Sequence, residues 1–205
     1  MRLLVIETAT EACSVALFEE GRLSGSFHET IGRGHAERLV PMISRLDEKG
    51  RADRICVSLG PGSFTGVRIG LATARALGVA WNIPVRGYPT LALVAGMART
   101  NGVGEVTVCM NGGHGEWFVQ DFDTDGLPVG DLASLAPEIA AARASRPVIA
   151  GSRAEEMAAL VGGQPTISAS ALPDAAQFLT VPDALLTEHL TPLYGRAPDA
   201  KLPAR

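Results

Sequence analysis

Two periods of hydrophobic and polar residues succeed each other along the first hundred residues. Residues 3–6 (Leu-Leu-Val-Ile) form a short unbroken apolar run, the pattern of a central strand covered on both faces. Thr8-Ala9-Thr10 turns the chain, and residues 13–18 then alternate, with Cys13, Val15 and Leu17 on one face and Ser14, Ala16 and Phe18 on the other. Glu19-Glu20-Gly21-Arg22 reads as a hairpin turn and residues 23–28 as the returning strand. From His35 to about Glu48 the period becomes helical. The apolar stripe is Ala36, Leu39, Ile43 and Leu46, with His35, Arg38, Met42, Arg45 and Lys49 on the other face. Pro41 inside this stretch predicts a kink or a late helix start. A strand over 55–59, a glycine-rich loop over 60–66, a helix to about Trp81, a strand over 84–88 and a helix capped by Thr90 and reaching Arg99 follow. This order predicts a mixed sheet, an antiparallel meander continued by parallel crossovers.

The second half opens in the same way and then thins. Residues 105–110 and 117–122 predict a hairpin around Asn111-Gly112-Gly113-His114-Gly115, and Asp123-Thr124-Asp125-Gly126 is a further turn. Helices are predicted over 137–144 and 154–161 with a strand over 148–151 between them, Gly162-Gly163 serving as a C-cap. Pro192, Pro198 and Pro203 predict an extended or flexible tail. A full unit followed by an abbreviated one suggests a degenerate duplication.

The helix after the glycine loop stands out. Gly66, Gly70 and Ala74 lie on one line and Ala72, Ala76 and Ala80 on another, and only Arg68, Thr73 and Arg75 are polar. A helix apolar nearly all round is covered on more than one side, here by the sheet and by either the neighbouring helix or another protein. The loop before it could cradle phosphate on backbone N–H groups, and it is equally the sequence of a tight turn into a closely packed helix. It has no lysine and runs Gly60-x-Gly62-x-x-x-Gly66, so it is neither a Walker A loop nor a dinucleotide fingerprint. Ser63 directly follows Gly62, which excludes a G-x-S-x-G elbow.

Composition narrows the classes. The chain has 205 residues, enough for a core without staples, and its three cysteines are widely spaced and odd in number, which points to a reducing cytoplasm. No apolar run approaches membrane-spanning length. The net charge of −4 divides into about +3 over residues 1–100 and −7 over the remainder, a poor balance for a stand-alone nucleic-acid binder. The four histidines form no i, i+4 pair, and no P-C-x-x-C follows His35-Ala36-Glu37, so no metal site is expected.

Three stretches are similar to one known family. Residues 7–17 (Glu-Thr-Ala-Thr-Glu-Ala-Cys-Ser-Val-Ala-Leu), 34–42 (Gly-His-Ala-Glu-Arg-Leu-Val-Pro-Met) and 60–70 (Gly-Pro-Gly-Ser-Phe-Thr-Gly-Val-Arg-Ile-Gly) resemble the bacterial TsaB (YeaZ) family. Glu116-Trp117-Phe118 resembles the family's Glu-Val-Tyr, and Pro192-Leu193-Tyr194-Gly195-Arg196 its C-terminal Pro-x-Tyr-x-Arg. The resemblance implies an α/β protein of the actin-like ATPase (ASKHA, RNase H-like) fold. It would have a full N-terminal subdomain (1–102), a shortened second one (103–196) and a flexible tail (197–205). It implies a non-catalytic scaffold subunit that activates its paralogue TsaD, the protein that transfers threonylcarbamoyl to the adenosine beside the anticodon of tRNA. The ATPase TsaE joins them, and tRNA is met only through the complex. The resemblance further implies that the chain alone would form a homodimer through its first two helices and would bind no cofactor, with ATP and metal on the partner subunits. Laid on this sequence, the interface comprises His35, Arg38 and Met42 of the first helix and Arg68, Leu71, Ala72, Arg75, Ala76 and Val79 of the second. In the same reading Glu7, Thr8, Gly60, Gly62 and Asn111 would be the degenerate remnant of a nucleotide site. Glu7 stands where the family usually has Asp, and Asn111-Gly112-Gly113 where it has Asp-Ala-Arg. No catalytic residue and no metal ligand is expected. The alternative is an autonomous actin-like ATPase or kinase. A metalloprotease is a third alternative, but the metal-binding His-x-x-x-His of TsaD is absent from this sequence, which argues against the old "glycoprotease" label.

Overall fold

The computed structural model describes residues 1–100, 102–161, 167–169 and 171–195. The opening meander forms as the alternation dictates: β1 (Arg2–Glu7), β2 (Ala12–Glu19) and β3 (Arg22–Thr30) pair antiparallel, and the turn closes on Glu20 and Gly21, both at positive φ. α1 (His35–Arg45) returns the chain to β4 (Arg54–Ser58), and α2 (Phe64–Trp81) to β5 (Val85–Tyr88), both strands parallel to β1. The strand order is β3-β2-β1-β4-β5. α3 (Thr90–Arg99) then leads to β6 (Val106–Gly113), β7 (Glu116–Phe122) and β8 (Pro128–Leu135), a second meander. α4 (Pro137–Arg143), β9 (Val148–Ala150), α5 (Ala154–Val161) and β10 (Ile167–Ala169) complete the second sheet, ordered β10-β9-β6-β7-β8. The second sheet thus repeats the first strand for strand. What shrinks is its parallel side, where β9 and β10 have three residues each.

The layers are α1 and α2, first sheet, α3, second sheet, α4 and α5. The alternation of β2 assigns its two faces to different cores. Cys13, Val15 and Leu17 pack with Leu39, Met42, Ile43, Val67 and Leu71 under α1 and α2. Ala16 and Phe18 join Leu91, Leu93, Val94, Val106, Val108 and Phe118 in the central layer between the sheets. α3 lies in that layer and is therefore the helix covered all round, with eight of its ten residues buried. α2, the helix expected to be doubly covered, buries Gly66, Val67, Gly70, Leu71, Ala74 and Gly78 and leaves its opposite face exposed.

Several boundaries differ from the sequence reading. α1 starts at His35 and runs through Pro41 without a late start, then ends at Arg45. A 3₁₀ turn over Asp47–Gly50 follows, with Glu48 and Lys49 at positive φ, which the apolar stripe could not foretell. Thr90 is not a cap: Pro89 holds that position, and the buried Thr90 hydroxyl pairs with that of Ser58 at 2.6 Å. β8 was not expected, because an edge strand with an exposed first half shows little alternation. The Gly162-Gly163 cap, Arg196 and the tail over 197–205 lie outside the described residues. After 3₁₀ turns at Ala175–Thr180 and Asp183–Leu185, residues 187–195 run as a strap from the edge of β5 across α2.

Candidate functional site

The turn after β1 is the seat of α2. The Ser63 N–H donates to the Ala9 carbonyl at 2.6 Å, and the Thr8 hydroxyl donates to the Gly66 carbonyl at 2.8 Å. A Cβ on Gly62 would run into the Ala9 carbonyl oxygen, one on Gly66 into that of Thr8, and one on Gly70 into the Thr8 hydroxyl. These glycines are therefore explained by close backbone approach, the second of the two readings open for the loop. Ser63 caps α2, its Oγ accepting from the Gly66 N–H at 3.2 Å. Ser63→Ala is expected to lower stability by about 1 kcal/mol in urea unfolding.

Glu7 is fully buried behind this turn. One carboxylate oxygen accepts the Ala9 N–H at 2.7 Å, and the other lies 3.4 Å from the Tyr88 hydroxyl, which also reaches the Ile6 carbonyl at 3.1 Å. Burial pushes the carboxyl up to about 7 from 4.5, more than the hydrogen bonds from Ala9, Ser58 and Tyr88 pull it back. Glu7 and Thr8 thus face the interior, and Gly60, at φ 88, holds the loop against Thr90 and Leu193. Of the five remnant residues only Gly62 and Asn111 line the open cleft between the two sheets.

That cleft encloses about 570 Å³, bordered by Thr10, Glu11, Arg33, Ser63, Asn111 and Ser152. Asn111 Nδ2 donates to Glu11 Oε1 at 3.2 Å, bridging the two halves of the chain across 100 residues. Its Oδ1 accepts from the Gly113 N–H at 3.1 Å, and its own N–H donates to Ser152 Oγ at 3.1 Å. Glu11, outside the candidate set, is thus the acid that meets Asn111; its place just past the first turn was the available signal. Among the described residues no group of three or more His, Cys, Asp or Glu is placed to hold a metal. The three thiols are buried and pushed up, Cys13 to about 11 and Cys56 and Cys109 to about 12, chiefly by desolvation. Thiols held this far above neutrality are not nucleophiles.

The exposed face of α2 presents Arg68, Ala72, Arg75, Ala76 and Val79, the last 83% exposed. Three of the expected interface residues are buried. Leu71 is buried in the core beneath α2, and Met42 in the same core beneath α1. His35 is buried as well, its Nε2 lying 2.9 Å from the Thr10 carbonyl and 3.2 Å from that of Ala12, which ties the start of α1 to the first turn. The buried stripe of α1 is His35, Leu39, Met42 and Ile43, turned away from Ala36, because the anchored His35 fixes the helix rotation. Arg38 is exposed and pairs with Glu29 at 3.0 Å. Two aromatic residues outside the expected interface join the α2 face. Phe64 stacks on Tyr194 with centroids 5.5 Å apart, and the Arg68 guanidinium lies 3.4 Å over Phe64. A shallow groove of about 640 Å³ continues the face past Arg75, Val79, Asn82 and Ile83.

Two sheets of one strand order, related across a cleft that the first turn of each half enters, define an actin-like ATPase fold. A structure of ethanolamine utilization protein EutJ from Carboxydothermus hydrogenoformans shares that fold (TM-score 0.50, 10% identity, 88% of this chain and 89% of that one). Residues 22–164 match the family model described as TsaD, tRNA N6-adenosine threonylcarbamoyltransferase. The structure titled YeaZ from Pseudomonas aeruginosa superposes with a TM-score of 0.79 at 32% identity, over 94% of this chain and 99% of that one. The tRNA threonylcarbamoyladenosine biosynthesis protein TsaB of Escherichia coli is 39% identical over 149 residues, 68% of this chain. That match spans 64% of the E. coli protein's length. The chain belongs to the TsaB (YeaZ) family.

Proposed function

We propose that the chain is the non-catalytic partner of a TsaD-type paralogue, in the complex that places threonylcarbamoyl on the adenosine beside the anticodon of tRNA. The observation that carries this reading is the α2 face, small and apolar at Ala72, Ala76 and Val79, flanked by Arg68 and Arg75 and free of carboxylates. Small side chains let a partner helix approach closely, and an exposed apolar strip between cations fits an apolar helix bordered by acids. In this reading the paralogue carries the metal and the transfer chemistry, and a TsaE-type ATPase supplies ATP turnover. The tRNA is engaged only by the assembled complex, in the cytoplasm, and the same face closes a homodimer when the chain is alone.

The test is co-expression with a tagged TsaD-type paralogue. The wild-type chain is expected to co-elute, and Ala76→Glu, which sets a carboxylate in the middle of an exposed strip without touching the core, to be lost from the eluate. Recovery of Ala76→Glu at wild-type yield would refute the reading. A second expectation concerns nucleotide. The Ser63 N–H, the Gly66 N–H and the Glu11 carboxylate are already engaged within the chain. Titration calorimetry of the isolated chain with ATP and Mg²⁺ should therefore give no binding in the micromolar range. Micromolar binding would favour the autonomous ATPase instead.

A further inference from the structure

Each end of the C-terminal strap is fixed. Thr187 pairs antiparallel with Gly87 at the edge of β5, through bonds of 2.7 and 3.0 Å. The Leu190 carbonyl accepts from Arg75 at 2.6 Å, and the Leu193 N–H donates to the Leu59 carbonyl at 2.7 Å. The Tyr194 hydroxyl accepts from Arg68 at 3.1 Å while its ring stacks on Phe64. Gly195 then packs against the Phe118 ring of β7, where a Cβ would collide. The strap therefore runs from the first sheet over α2 to the second sheet, and it takes hold of both arginines of the α2 face on the way. Phe64 and Tyr194 remain about half exposed, so the cluster is a surface feature rather than part of a core.

We propose that the strap is part of the docking surface and that Tyr194 is its positioning residue. It fixes Arg68 over Phe64, so that a TsaD-type partner meets a rigid composite of α2 and the chain's C-terminal segment. This rests on the α2 face being the docking surface. The chemistry is pre-organisation. A free arginine samples many rotamers and loses them on docking, whereas one held between an aromatic face and a tyrosine hydroxyl has lost them beforehand. The partner group that suits Arg68 in this setting is a carboxylate, since α2 has none of its own.

The experiment is calorimetric binding of the full chain to the TsaD-type partner, with Tyr194→Ala, Arg68→Gln, the double variant and Ala76→Glu. Tyr194→Ala and Arg68→Gln should each weaken binding about ten-fold, and the double variant no further, because the two residues act as one unit. Tyr194→Phe, which keeps the ring and loses only the Arg68 bond, should lose about three-fold. Melting temperatures should stay within about 2 °C of wild type, since both side chains are at the surface. Unchanged affinity for Tyr194→Ala alongside abolished binding for Ala76→Glu would overturn the strap proposal and leave the face intact. Unchanged binding of Ala76→Glu would remove the face itself. If Tyr194→Ala melts early, the cycle of Tyr194→Phe with Arg68→Gln decides: non-additive losses support the positioning role, and fully additive ones overturn it.

Discussion

Gly66→Ala is expected to destabilise the protein by about 3 kcal/mol or more, although alanine is the better helix former. Within a helix, glycine to alanine ordinarily gains up to about 1 kcal/mol by lowering the entropy of the unfolded chain. Here the added methyl points at the Thr8 carbonyl oxygen, on a backbone segment tied to the start of α2 by two bonds, from the Ser63 N–H to the Ala9 carbonyl and from the Thr8 hydroxyl to the Gly66 carbonyl. Neither partner can retreat cheaply. Moving α2 outward breaks the bond from the Ser63 N–H to the Ala9 carbonyl, and moving the turn disturbs the Ala9 N–H held by buried Glu7. The contrasting variant on the same helix is Ala72→Gly on the exposed face, which should lose only the propensity difference of about 1 kcal/mol. Urea unfolding of both, with unchanged denaturant slopes, measures the two effects. Equal losses, or a gain for Gly66→Ala, would show that the close approach is not what fixes this glycine.

Alternation in residues 13–18 placed two faces of β2 correctly because a strand buried on both sides still assigns alternate residues to different layers. The order of strands and crossovers was legible for the same reason. Which helix lies between the sheets was not. α2 and α3 are both apolar nearly all round, and only the tertiary arrangement separates a doubly covered helix from one with an open face. His35 and Met42 were placed on the outer face of α1 by charge neighbours, but rotation of a helix is set by its anchor, and the His35 ring is that anchor. The same limit applies to the cleft. The resemblance pointed to Asn111 and Glu7, whereas the choice of Glu11 over Glu7 as the acid meeting Asn111 depends on which way each carboxyl turns. Phe64 and Tyr194 sit 130 residues apart and become one cluster only through the strap.

The second large effect is a pH dependence of stability that runs opposite to that of an ion-paired carboxylate. Glu7 sits near 4.5 in the unfolded chain and is pushed up to about 7 in the folded one, so the folded state holds its proton over a range in which the unfolded state has released it. Stability is therefore full below about pH 4.5 as far as this group is concerned, falls as pH rises towards 7, and is flat above. A shift of this size is worth about 3 kcal/mol between the two plateaus. The groups facing the carboxyl are the Ala9 N–H, the Ser58 and Tyr88 hydroxyls and the Thr8 backbone, all neutral, so none supplies a cation to offset the ionised form. Glu7→Gln keeps an oxygen for the Ala9 N–H and removes the charge. Its stability at pH 4 should match wild type, and at pH 8 it should exceed wild type by about 3 kcal/mol. The difference between the two profiles cancels the surface histidines and acids common to both. Parallel profiles from pH 4 to 8 would show that Glu7 ionises freely in the fold, and that the turn beneath α2 tolerates a buried charge that its neighbours do nothing to neutralise.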